Sequence, residues 1–332
     1  HLCDRRQRQM CIRDSAYTYM KITCAFTVAV AVYNGISSIL RALGDSRTPL
    51  IFLMIASVIN AVLDIIFVVY LDMGVAGAAY ATVFSQIVSG IGSIIYAVKT
   101  NSYFKIRRED FRVDHSILKA DFKIGLPMAV QTSMISISCS LLQALINGYG
   151  PAVMAAYTAT GKVEGIVFQP FSSLGLALST FAGQNIGAGQ YDRIKKAVWQ
   201  AECITIGLSA VLFAAILLFR ENIIHFFVTD QEVIRLGAKG MVISGSMYVA
   251  LGTIYTLRGA LNGMGDVVFS MINGFLEVGG RVVFALFLMY ALDMGFWGIW
   301  YTNIFTWIVI ALTAAVRLIV YLKKAQRNTN QM

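Results

Sequence analysis

The chain has 332 residues, of which 57% are hydrophobic and only 14% are charged, and its mean hydropathy is +0.67. So few charged side chains cannot cover a soluble globule of this length, so the composition excludes a soluble domain and predicts a polytopic membrane protein. The formal net charge of +9 is explained by basic loops between membrane helices, and we expect no nucleic-acid partner.

The segment from His1 to Ser15 reads HLCDRRQRQMCIRDS and then changes abruptly to membrane sequence. It lacks an apolar core followed by a cleavage site, so it does not resemble a signal peptide. We interpret residues 1–15 as a non-native, adapter-derived segment and exclude them from the fold prediction.

Charge-free apolar runs predict nine membrane helices, because about 20 apolar residues of helix cross the hydrocarbon core. The predicted helices are Ala16–Arg41, Thr48–Tyr70, Gly77–Val98, Asp121–Ile146, Pro151–Leu178, Ala197–Phe219, Gln231–Arg258, Val268–Ala291 and Gly295–Leu322. Most Lys and Arg residues fall on one side of these helices, at positions 41–47, 99–123, 193–196, 258 and 317–327. The positive-inside rule makes that side cytoplasmic, so the C-terminus is predicted to be cytoplasmic and the first helix to start outside.

The chain also contains an internal repeat in which matching residue numbers differ by 221. Gly44-Asp45 and Leu71-Asp72-Met73-Gly74 match Gly265-Asp266 and Leu292-Asp293-Met294-Gly295. Duplication of membrane helices is typical of secondary transporters, so transport is the leading functional prediction. The second copy occupies the last two predicted helices and the first copy the second and third. If both halves have six helices, three helices are expected to precede this chain.

Several motifs resemble the multidrug and toxic compound extrusion (MATE) family, and they occur in the family's order. They are Leu40 to Pro49, Asn60 to Asp64, Gly74 to Ala79, Gly125-Leu126-Pro127, Ala155-Ala156-Tyr157, Gly183 to Gly189 and Gly263 to Asp266. The resemblance implies an all-α fold of two six-helix bundles related by pseudo-twofold symmetry, of which this chain would hold helices 4–12. Residues 16–98 would then belong to the N-terminal bundle, 99–120 to a cytoplasmic linker, 121–324 to the C-terminal bundle and 325–332 to a cytoplasmic tail.

The same resemblance implies an activity. A monomeric transporter in the inner (plasma) membrane would use entry of Na⁺ or H⁺ to drive export of small amphipathic or cationic drug-like substrates by alternating access. Besides the lipid bilayer and the substrate no partner is expected, and besides the coupling ion no cofactor is expected.

Asp64 is the first candidate for cation coupling, because carboxylates inside a membrane are costly and therefore functional candidates by default. Asn60 lies one helical turn earlier on the same face. Such oxygen atoms can ligate a small hard cation such as Na⁺, whereas a lone buried carboxylate can take a proton. Members of the MATE family use this Asn-x-x-x-Asp pattern together with a hydroxyl from the next helix, which Thr82 matches. A purely structural role for Asp64 in holding helices together is the alternative.

Further charged and polar residues within the predicted helices are candidates for the cavity, for substrate binding or for gating. Glu277 and Arg281 are spaced i, i+4 and predict an ion pair, which would serve either packing or gating. Lys162 and Glu164 are two residues apart, a spacing that does not bring side chains together on a helix. Glu164 is the second candidate for a proton- or cation-binding carboxylate, and Gln131 is a weaker cavity candidate.

Two other classes of function are alternatives to drug export. A lipid-linked oligosaccharide flippase needs a cationic cavity, and the sequence offers only Lys162 and Arg281 as deeply placed basic residues. An enzyme is not expected, because His115 and His225 are the histidines besides His1 and both are predicted in loops. A membrane protein without transport activity remains a third alternative.

Overall fold

The computed structural model describes residues 2–100, 104 and 114–329, and the side chains of residues 13–100, 104 and 114–324. These residues are almost entirely helical and contain no strand. They form two compact units, residues 1–113 and residues 114–332. Most of the predicted linker, residues 101–103 and 105–113, lies outside the described residues, as do residues 330–332 of the predicted tail.

Eleven α-helices make up the described residues. The first unit holds α1 (Leu2–Ala25), α2 (Thr27–Ala42), α3 (Arg47–Asp64), a π-helical segment (Ile65–Tyr70) and α4 (Gly74–Thr100). The second unit holds α5 (His115–Ile146), a 3₁₀ turn (Asn147–Tyr149), α6 (Pro151–Gly187), α7 (Tyr191–His225), α8 (Gln231–Gly245), α9 (Tyr248–Gly263), α10 (Val267–Leu286), a second π-helical segment (Phe287–Ala291) and α11 (Trp297–Thr329).

Among the described residues, seven helices are long and apolar enough to cross a membrane, and the number of spans rises to nine if each of two bent helix pairs counts as one span. The predictions of single helices over Ala16–Arg41 and Gln231–Arg258 are wrong. Each is two helices that meet at 50°. The backbone leaves the helical region at Phe26 (φ −105°, ψ 17°) and Met247 (φ −122°, ψ 23°), neither of which is Pro or Gly.

The internal repeat extends to the backbone. The bends at Phe26 and Met247 occupy equivalent positions, and α2 has the same bounds as α9 after the shift in residue number. The two π-helical segments also fall at equivalent positions, between α3 and α4 and between α10 and α11. Therefore α1 to α4 repeat the helix pattern of α8 to α11.

In the first unit, α4 contacts each of the other three helices. Small residues of α4 make these contacts. The Ser89 hydroxyl of α4 donates to the backbone carbonyl of Phe52 on α3 at 2.9 Å, and Gly90 lies against Tyr33 of α2. The outward faces are apolar and exposed, as at Val58 of α3. This pattern is expected for helices whose solvent is lipid.

In the second unit, the largest fully buried side chains include Phe171, Tyr248 and Trp300. Helices α6 and α9 approach so closely that a Cβ added to Gly259 would overlap the carbonyl oxygen of Gly175, and one added to Gly263 would overlap that of Ser179. Close contact through small residues is the usual packing mode of membrane helices, where burial of apolar surface supplies little driving force.

The histidines are placed differently from the prediction. His115 is the first residue of α5 and His225 is the last residue of α7, whereas both were expected in loops. The helices extend beyond the charge-free runs because polar residues continue the helix after it leaves the apolar core.

Candidate functional site

The first candidate site lies in the first unit, on α3 and α4. The Asn60 side-chain amide donates to the Thr82 hydroxyl at 3.5 Å, a long hydrogen bond, and the Thr82 hydroxyl itself donates to the Ala78 carbonyl at 3.0 Å. The structure therefore brings together the amide and the hydroxyl that the motif predicted.

Asp64 is the last residue of α3, one helical turn after Asn60, and its side chain is half-buried. Its Oδ1 atom is buried and has no hydrogen-bond partner among the described residues. The π-helical segment Ile65–Tyr70 begins directly after it. An unpaired buried carboxylate oxygen is costly, so Asp64 stays a candidate for binding a coupling ion.

A second polar cluster is buried in the second unit, where α5, α9, α10 and α11 meet. The predicted ion pair is confirmed: Arg281 Nη2 lies 3.1 Å from Glu277 Oε1. The other carboxylate oxygen, Oε2, lies 3.1 Å from Nη2 of Arg258 on α9. All three side chains are more than nine-tenths buried. One carboxylate is therefore shared by two guanidinium groups.

Asparagine and threonine complete this cluster. Arg258 also donates to Asn273 Oδ1, with Nη2 at 2.7 Å and Nε at 3.3 Å, and the Asn273 amide donates to the Thr313 hydroxyl of α11 at 3.1 Å. Arg281 Nη1 donates to the Cys139 sulfur of α5 at 3.0 Å, while Arg281 Nε has no partner among the described residues. Arg281 thus has a buried donor without a partner among the described residues, whereas Nε and Nη2 of Arg258 both donate to protein acceptors.

The prediction that a helix ends at Arg258 is wrong. Because α9 continues to Gly263, Arg258 lies within the helix, and its exposure is 6%. The predicted helix ends at Arg258 because this charged residue ends the apolar run. The expectation that Lys162 and Arg281 are the only deeply placed basic residues is corrected in the same way, since Arg258 is also buried within a helix.

The structure separates Lys162 from Glu164, as their spacing predicted. The Lys162 ammonium lies 5.7 Å from the centre of the Phe227 ring. Glu164 is half-buried beside Ser244 of α8 and within electrostatic range of Arg281. Glu164 therefore belongs to the surroundings of the arginine cluster, and Lys162 does not.

Gln131 of α5 is buried, with 4% exposure, and its Nε2 atom has no partner in the described part of the chain. It packs beside Gly274 of α10, where an added Cβ would lie 3.2 Å from Gln131 Cγ. Gln131 therefore lies at the interface between α5 and α10, which also contains Cys139 and Arg281.

Comparison with known proteins decides the family. The family model described as MatE matches residues 6–66 and 127–287, which is most of the chain. The chain belongs to the MatE family. This confirms the family to which the sequence motifs pointed.

MatE relatives and structures agree with this assignment. The probable multidrug resistance protein YoeA of Bacillus subtilis is 28% identical over 81% of this chain, and the probable multidrug resistance protein NorM of Thermotoga maritima is 26% identical over 87%. The chain spans 60% and 63% of the lengths of these two relatives. A solved outward-facing MATE family transporter of the MOP superfamily superposes with a TM-score of 0.88 at 22% identity, covering 93% of this chain and 70% of that one. The all-α MATE fold is therefore confirmed.

The MatE chain contains one intramembrane carboxylate that the sequence prediction missed. Glu202 of α7 accepts a hydrogen bond from the Thr253 hydroxyl of α9 at 2.8 Å on Oε2, and another from the Thr256 hydroxyl on Oε1. The i, i+3 spacing of the two threonines is a signal that they share a face of α9. It did not identify their partner, because α7 and α9 are distant in sequence.

Proposed function

We propose that this chain is part of a secondary transporter that couples entry of Na⁺ or H⁺ to the export of small amphipathic or cationic drug-like molecules across the plasma membrane, with its C-terminus in the cytoplasm. The observation that carries the proposal is the buried Oδ1 atom of Asp64, which has no hydrogen-bond partner among the described residues. It lies on a helix of this MatE chain that is long and apolar enough to span a membrane. Membership of a family whose relatives are named multidrug resistance proteins supports the class of substrate.

The geometry suits either coupling ion. For a proton, the Asp64 carboxylate would take up H⁺ from the outer side and release it to the cytoplasm, so that its charge alternates between zero and −1. For Na⁺, Asp64 would supply the compensating charge, and the Asn60 and Thr82 oxygens would supply neutral ligands. Na⁺ takes part as a transported ion, and no further cofactor is required.

The first test is efflux of a cationic dye from energised cells that express the complete transporter. The second test uses inside-out membrane vesicles, in which the outer face of the transporter faces the lumen. An Na⁺ gradient and a pH gradient are imposed on these vesicles in separate experiments. We expect one of the two gradients to drive dye uptake into the vesicles. If neither the Na⁺ gradient nor the pH gradient drives dye uptake, cation-coupled export is contradicted.

The arginine cluster favours a second candidate, the lipid-linked oligosaccharide flippase. Arg258 and Arg281 share the carboxylate of Glu277, and Arg281 Nε has no hydrogen-bond partner among the described residues. Two buried guanidinium groups, one with an unused donor, suit a phosphate-bearing substrate. Competition in the vesicle assay distinguishes the two candidates: drug export predicts inhibition by a second cationic dye, and a flippase predicts inhibition by a polyprenyl pyrophosphate instead.

A further inference from the structure

Helices α7 and α11 leave a groove between them near the N-terminal end of α7. Its cavity volume is about 340 Å³, within the range of roughly 300–1,000 Å³ that small ligands occupy. The groove is lined by Lys195, Val198 and Trp199 of α7 and by Leu318, Leu322 and Lys323 of α11, among others. Residues i, i+3 and i+4 of α7 share one face, so the lining is a property of the fold.

The lining is divided by polarity. Lys195 lies in the second turn of α7 and Lys323 near the end of α11, so both ammonium groups lie at the same end of the groove. Neither lysine forms an ion pair within the ranges whose side chains are described. Most of the remaining lining is aliphatic, at Val198, Leu318, Ile319 and Leu322. This lining suits a ligand that is negatively charged at the lysine end and apolar along the rest.

Trp199 indicates that the lysine end of the groove lies at the level of the lipid head groups. Its side chain is 71% exposed beside the lysines, and exposed Trp is enriched at the level of lipid head groups. Glu202 also lines the groove but lies two helical turns from Lys195, about 10 Å along the axis. Both of its oxygens accept hydrogen bonds from threonine hydroxyls of α9, so the protein already satisfies this carboxylate.

We propose that this groove binds an anionic phospholipid, with the phosphate on Lys195 and Lys323 and an acyl chain along Val198, Leu318 and Leu322. Basic pockets between membrane helices on the cytoplasmic side commonly bind anionic head groups. Two unpaired ammonium groups favour a lipid with a net negative charge over a zwitterionic one, which carries its own ammonium. The proposal does not depend on which substrate the transporter exports.

Native mass spectrometry of the complete transporter in an equal mixture of phosphatidylglycerol and phosphatidylcholine tests this site. We expect the wild type to retain phosphatidylglycerol preferentially. The double variant Lys195→Gln/Lys323→Gln should lose at least threefold in the population of the first phosphatidylglycerol adduct. The matched control is Lys196→Gln/Lys324→Gln, which removes the same charge from neighbouring residues outside the groove and should keep that adduct.

Equal losses in both double variants would show diffuse attraction to basic residues and overturn the site, as would a groove variant that behaves like the wild type. Ile319→Trp tests the apolar part without changing charge, since Ile319 lines the groove and is 53% exposed. Its ring should displace the acyl chain and lower the phosphatidylglycerol adduct at least threefold. Unchanged binding in Ile319→Trp would contradict the proposed position of the lipid.

Discussion

Asp72 and Asp293 hold equivalent positions in the two copies of the repeat, and both have left-handed backbone conformations, with φ of 50° and 51°. They are the only non-glycine residues with positive φ in the described part of the chain. Each follows a π-helical segment and precedes a glycine, Gly74 or Gly295, that also has positive φ. The duplication therefore preserves an unusual turn as well as a sequence motif.

The turn gives a prediction about substitutions at Asp293. Asparagine tolerates the left-handed region, whereas a β-branched residue does not. Asp293→Val should cost about 1–2 kcal/mol and lower the thermal midpoint of unfolding of the purified transporter in detergent. Asp293→Asn, which removes the same charge, should leave the midpoint close to wild type. An equal decrease in both variants would mean that the charge, and not the backbone, matters here.

The buried cluster predicts a strong asymmetry between its members. Glu277→Gln removes the carboxylate that pairs directly with both Arg258 and Arg281, and loss of one partner of a buried ion pair costs about 3–5 kcal/mol. Arg258→Gln keeps the pair between Glu277 and Arg281 and should cost less. The measurement is the thermal midpoint of unfolding of each variant at equal protein and detergent concentrations. A milder effect for Glu277→Gln than for Arg258→Gln would contradict the shared-carboxylate arrangement.

The α6–α9 contact predicts that Gly259 tolerates no side chain. Gly259→Ala would place a methyl group against the Gly175 backbone, and such overpacking costs about 1–3 kcal/mol. Gly165→Ala on α6 is the control, because an added Cβ there meets nothing within 4 Å. We expect loss of folded protein in a detergent-extraction assay for Gly259→Ala only. Normal recovery of that variant would show that the two helices are farther apart.

The charge distribution predicts that Lys195 faces the cytoplasm and that Asp72 and Asp293 face outside. Cysteine substitutions at these positions, in a transporter whose native cysteines are replaced by serine, can be labelled with an impermeant thiol reagent. In intact cells the two aspartate positions should react and the lysine position should react only after permeabilisation. The reverse pattern would invert the topology.

Much of the fold could be predicted from the sequence because lipid requires long apolar helices and the repeat is visible in glycine and aspartate positions. The bends at Phe26 and Met247 could not be predicted, since neither bend residue is Pro or Gly. The role of Arg258 was also missed, because its partner Glu277 lies on another helix. The Glu277–Arg281 pair was predictable because both residues lie on the same helix and their spacing alone defines it.

At the candidate coupling site, only part of the arrangement of Asn60, Asp64 and Thr82 could be predicted. The i, i+4 spacing placed Asn60 and Asp64 on one face, and family resemblance selected Thr82 on the next helix, where the structure finds it bonded to Asn60. The unpartnered Asp64 oxygen was not predictable, because hydrogen-bond satisfaction depends on every neighbouring helix.

Dye efflux from energised cells, compared between wild type and Asp64→Asn at equal membrane abundance, tests cation coupling at Asp64 most directly. Asn keeps the size and hydrogen-bonding capacity of Asp but can neither titrate nor compensate the charge of Na⁺, so efflux should be abolished with either ion. Asp72→Asn, an exposed position with the same change of charge, is the matched control and should transport normally. Near-normal efflux by Asp64→Asn would contradict a coupling role and leave Asp64 with helix packing alone.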